Sequence, residues 1–120
     1  MCNHMLRGQL NLLIKRAREA CGLDEGGGDK YHVKWYAFDD LLRMVVCDMR
    51  GMFGVCVYCN SKISKAINGM AEIKRHMYFG LPAADLNIDV VTQRIDALYT
   101  SIKDVLDFHE RTELGISEER

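Results

Sequence analysis

The chain has 120 residues, 48% of them hydrophobic and 28% charged, and its 16 Lys+Arg against 17 Asp+Glu leave a formal net charge of −1. A domain of this length buries roughly two thirds of the surface its unfolded chain exposes, so neither disulfides nor a metal are needed merely to fold it. The near-zero charge excludes a uniformly basic nucleic-acid coat and a polybasic membrane binder, and the apolar fraction excludes disorder.

In chain order, Leu6, Leu10, Leu13, Ala17 and Ala20 recur at steps of four and three and predict a helix over 5–21. Gly22 stops it as a C-cap, with Leu23 closing the apolar contact behind, and Gly26-Gly27-Gly28 predicts a loop. Tyr31 to Phe38 mixes aromatic and β-branched residues and reads as a short strand. Asp39 or Asp40 then caps a helix carrying Leu41, Leu42, Val45, Val46 and Met49. Met52 to Cys59 reads as a second strand or knuckle, and Asn60 or Ser61 caps a helix with Ile63, Ile67, Met70, Ile73 and Met77 that ends before Gly80. Pro82 breaks the chain, and Asp85 caps the last helix. There Ile88, Val91, Ile95, Leu98, Ile102, Val105 and His109 alternate at three and four, a strict seven-residue repeat.

The expected fold is mainly α: a single-domain bundle of about four helices with a short two-stranded β element around 31–38 and 53–59. Its parts are a slightly basic body over 1–84, an acidic amphipathic helix over 85–112 and a frayed tail over 113–120. Residues 1–80 hold 12 basic and 8 acidic side chains, and 81–120 hold 4 basic and 9 acidic. Such asymmetry permits a basic face, or attraction between the two parts.

Three constellations bear on chemistry. Cys56 and Cys59 have the two-residue spacing that presents both sulfurs to one tetrahedral zinc, and His76 and Cys47 are the residues available to complete a four-ligand set. The same pair is also a redox dithiol spacing, but the alternating βαβ pattern and the downstream cis-proline of a thioredoxin-like domain are missing. Lys15, Arg16 and Arg18 on the first helix, with Lys62, Lys65, Lys74 and Arg75 on the third, are the side chains available for phosphate contacts. Finally, the seam Ile88, Val91, Ile95, Leu98, Ile102 and Val105 suits packing against a partner helix or against the chain's own bundle.

Residues 14–23 are similar to the opening helix of phage-type helix-turn-helix repressors, although Asp24, Glu25 and three glycines stand where the second helix of that family begins. The segments 37–41, 55–59, 61–64 and 74–76 faintly resemble half of a papillomavirus early zinc protein, a family that uses two such cysteine pairs per zinc where this chain has one.

His4, His32, His76 and His109 lie in four segments without a Ser, Cys and acid in a catalytic signature, so a non-enzymatic role is expected. No run of about 18 apolar residues spans a bilayer, no secretory signal opens the chain, and five scattered cysteines fit a reducing compartment. The expectation is a cytoplasmic regulator or adaptor of the kind phages and mobile elements carry, acting on a protein partner or as a homo-oligomer. The alternatives are a zinc-stabilised nucleic-acid-binding regulator and a thiol-redox protein.

Overall fold

Leu6, Leu10, Leu13, Ala17 and Ala20 form the buried face of α1, Asn3–Ala20, in a computed structural model that describes residues 3–23, 31–53, 57–79 and 87–113. The helix ends where glycine permits it. Gly22 takes φ 78°, its N–H bonds to the Glu19 carbonyl, and the Leu23 N–H bonds to the Arg18 carbonyl. These two bonds make a Schellman cap, and Leu23 packs back onto the core as the sequence predicts.

The second helix, α2, runs over Tyr31–Phe53 and absorbs the segment expected to be a strand. Trp35, Phe38, Leu42, Val45 and Met49 recur at steps of three and four, and all are buried. That stripe reaches the core only if the chain is helical from its first residues, so tertiary burial overrides the β preference of the aromatic residues. Asp39 and Asp40 therefore lie inside the helix instead of capping it: Asp39 pairs with Lys74 and Asp40 with Arg43.

The expected second strand is likewise absent among the described residues. Phe53 closes α2, residues 54–56 lie outside the described residues, and Cys59 already belongs to the first turn of α3, Val57–Phe79. This helix begins ahead of the expected caps at Asn60 and Ser61, and Cys59, Ile63, Ala66, Met70 and Ile73 form its buried face. The last helix, α4, spans Ile88–Glu113. Its cap is Asn87, whose Oδ1 accepts the Val90 N–H at 2.9 Å, with Asp89 in the first turn to suit the helix dipole. The expected cap Asp85 and most of the expected tail, 114–120, lie outside the described residues.

The helices form an up-and-down ring. α1 packs on α2 and α4, α3 packs on α4, and α2 meets α3 only lightly. Register along α3 and α4 is fixed by three cross-links, Cys59 to His109, Lys62 to Asp104 and Glu72 to Arg94, in which each step forward on one helix is a step back on the other. Arg94 also reaches the Gly69 carbonyl at 3.3 Å. One core cluster runs through all four helices, giving a mainly α bundle. No helix among the described residues is long and apolar enough to cross a membrane.

Candidate functional site

The seven-residue seam of α4 points into the bundle. Ile95, Leu98, Ile102 and Val105 are each 1% exposed or less, Val91 packs on the core from its edge, and Ile88 alone stands in solvent. In this bundle the seam expected to face a partner is thus mostly interior. The reason is geometric: α1 and α3 flank α4 on either side, and the three-four alternation that joins two chains equally joins neighbouring helices of one chain.

The basic residues do not converge either. Lys15, Arg16 and Arg18 lie on α1, whereas Lys62, Lys65, Lys74 and Arg75 lie on α3, diagonally across the ring. Lys62 pairs with Asp104 at 3.1 Å and Lys74 pairs with Asp39, while Lys15, Lys65 and Arg75 are exposed. Two separated clusters, one partly neutralised, form no continuous track for a phosphate backbone.

The expected zinc set is taken apart in the same way. Cys59 and His76 share α3 seventeen positions apart, which at about 1.5 Å per residue is roughly 26 Å along the axis. One ion cannot bind both. Cys47 is exposed on α2, and Cys56 lies outside the described residues. No group of three or more His, Cys, Asp and Glu is placed to hold a metal ion among the described residues.

What the fold assembles instead is a pair that sequence spacing missed. The buried Cys59, at the start of α3, has its Sγ 3.0 Å from Nε2 of His109, near the end of α4. Antiparallel packing brings these two ends together, and His109 continues the inward seam, so its imidazole faces the core. Burial pushes the His109 pKa down, which favours the neutral ring. The signal was present in the sequence: a histidine in a core position at the end of the last helix stands beside the start of the third in any up-and-down bundle.

No known protein family, characterised protein or solved structure matches this chain.

Around the pair, the end of the bundle is held by charge. Arg7 of α1 bonds Asp107 at 2.6 Å and Glu110 at 2.7 Å, and Lys103 bonds Asp107 at 2.9 Å. The acidic helix thereby attracts the basic body, one of the two outcomes its charge asymmetry allows. Hydrogen bonds from Arg7 first and Lys103 second hold the Asp107 carboxyl below its usual pKa. A carboxyl lowered in this way stabilises the fold above its unfolded value, and that stabilisation disappears as the pH falls through the folded value. Arg7→Met is expected to flatten the loss of stability as the pH falls from about 5 through the unfolded carboxyl value of about 3.9 and below it. Urea unfolding across that range reads it, and parallel pH curves for the two proteins would show that Arg7 does not set this carboxyl.

A second feature lies on the other side of α1. The Gln9 amide donates to Asp48 of α2 at 3.4 Å, which fixes the level of the antiparallel pair. Met5 and Leu12 are neighbours of Gln9 at helical spacing, and Met44 and Met52 are neighbours of Asp48. Met5 therefore stands level with Met52, and Leu12 with Met44. All four are exposed, Met5 at 54% and Met44 at 48%.

Proposed function

We propose that the protein is a small non-enzymatic regulatory or adaptor protein that binds a protein partner through the apolar face shared by α1 and α2. The observation that carries this reading is the arrangement of Met5, Leu12, Met44 and Met52 as two exposed pairs about the Gln9–Asp48 bond. Large apolar side chains exposed close together on one face mark interaction surfaces more often than ones scattered singly do. Methionine suits such a surface because its unbranched, polarizable side chain adapts to different partner shapes. The partner this face fits is an amphipathic helix whose apolar side lies against Met5, Leu12, Met44 and Met52. The interior seam of α4 supplies the rigid core on which the face is mounted.

The test replaces Leu12 and Met44 together by Glu. Because both side chains are exposed, the double variant is expected to keep its helicity and to unfold within about 0.5 kcal/mol per site of the wild type. Crosslinking in cells that express the protein, and sedimentation of the purified chain over a range of concentrations, are expected to show an association that the variant loses by more than about tenfold, which is ~1.4 kcal/mol. A complex made only of copies of this chain would identify the partner helix as its own. A wild type that stays monomeric and crosslinks no differently from the variant would overturn the proposal.

A further inference from the structure

On the side of the ring opposite the α1 and α2 face, α3 and α4 leave a trough of about 520 Å³ between them. A space of that volume lies within the range of small-molecule sites, about 300–1,000 Å³. We propose that this trough binds a nucleoside monophosphate, with the phosphate at Lys65 and the base on the floor beside Arg94. The inference goes beyond the adaptor reading and does not depend on it.

The trough follows from the residues of the two helices. The pairs Lys62 with Asp104 and Glu72 with Arg94 fix an antiparallel register in which Lys65 stands level with Ser101, and Gly69 with Ala97. Larger side chains at these levels would fill the space where two helices meet, and Ala66, Gly69, Ala97 and Ser101 leave it empty. Gly69 is the sharpest sign. A glycine inside a helix costs stability relative to alanine, yet a Cβ at this position meets nothing closer than the Arg94 side chain at 3.6 Å, an ordinary contact. Packing within the chain does not call for a glycine here, whereas a ligand lying against bare backbone does.

Size and charge select the occupant. From Lys62 to Glu72 is ten positions, roughly 15 Å of helix, and an ion pair crosses the trough at each end. A nucleic-acid strand or a partner helix would have to run past these ends, so the trough suits a small molecule. Its lining carries Lys62, Lys65 and Arg94 against Glu72 alone, which favours an anion. Lys62 is shared with Asp104, but Lys65 is exposed and enters no ion pair among the described residues. With the Ser101 hydroxyl opposite, it suits a phosphate group.

The other end suits a base. Arg94 gives Nη1 to both Glu72 and the Gly69 carbonyl. Anchored twice, the guanidinium is a fixed planar cation with Nη2 and Nε left as donors, and such a plane stacks on an aromatic ring. Glu72 meets Arg94 through Oε1, which leaves Oε2 to accept a ring or amino N–H. Lys65 and Glu72 are seven positions apart on α3, about 10 Å along the axis, so one extended nucleotide reaches both.

The experiment titrates the purified full chain with AMP and with GMP and follows its backbone amides by NMR. Expected is saturable binding of one or both with a Kd below about 1 mM, with the largest shifts at Ala66, Gly69, Ala97 and Ser101, and weaker binding as salt is raised. Adenosine, guanosine and inorganic phosphate are each expected to bind at least about tenfold more weakly, because each engages one end of the trough only. These comparisons need no variant. Lys65→Glu and Ala97→Leu are each expected to raise the Kd at least about tenfold, and because both positions are exposed, to leave the melting temperature as it was. The variant with Glu at Leu12 and Met44 is expected to bind nucleotide as the wild type does, which keeps this result separate from that of the adaptor reading. Absence of saturable binding, a nucleoside or inorganic phosphate that binds as tightly as the nucleotide, or largest shifts outside α3 and α4 would each overturn the proposal.

Discussion

Ile102→Asp is expected to leave the chain unfolded at 25 °C, and not to split an oligomer into folded monomers. Ile102 is 0% exposed, in the middle of the inward face of α4. Loss of its packing alone costs about 2–5 kcal/mol. An ionised carboxylate in that position adds a desolvation cost of several kcal/mol more, or else takes up a proton and remains without a partner. The sum rivals the whole stability of a domain this size, about 5–15 kcal/mol. Ile88→Asp is the control. It introduces the same charge into the same seven-residue register, but Ile88 is 70% exposed, so the change is expected to stay within about 0.5 kcal/mol. Circular dichroism and sedimentation velocity separate the outcomes. A folded, monomeric Ile102→Asp variant of a protein that is oligomeric as wild type would place the seam at an interface after all.

That contrast shows what the amino-acid pattern did and did not make legible. The alternation of three and four stands out in α4 because its apolar residues are large, yet it runs equally through Leu6 to Ala20, Trp35 to Met49 and Cys59 to Ile73. Four helices with one shared repeat are the mark of a bundle that packs on itself. The stop at Gly22 was readable because termination is a local matter of backbone geometry. The segment from Tyr31 to Phe38 was not, since its aromatic residues favour a strand locally and only the later positions Leu42, Val45 and Met49 extend Trp35 and Phe38 into a helical stripe. The candidate site was least legible of all. A two-cysteine spacing draws attention to ligands nearby in sequence, so His76 on the same helix looked available, whereas antiparallel packing delivers His109 from fifty residues away. Likewise the face of Met5, Leu12, Met44 and Met52 exists only once the Gln9–Asp48 register is known.

Trp35 offers the second large effect, and its two substitutions are expected to diverge. The indole is 1% exposed and meets Phe38 edge to face, with ring centroids 5.6 Å apart. Trp35→Ala removes the largest buried side chain of α2 and with it the aromatic pair, so a loss of about 3–5 kcal/mol is expected. Trp35→Phe keeps a ring against Phe38 and removes Nε1, a buried donor that has no hydrogen-bond partner among the described residues. An unpaired buried donor carries a desolvation penalty of about 1–3 kcal/mol. Relief of that penalty offsets the smaller ring's lost contacts, and the net cost of Trp35→Phe is expected to stay below about 1.5 kcal/mol. Urea midpoints with an unchanged slope measure both variants on one scale. Equal losses for Ala and Phe would mean that the indole N–H is satisfied in the folded chain, and that the hydrogen bond, more than the ring, is what Trp35 contributes.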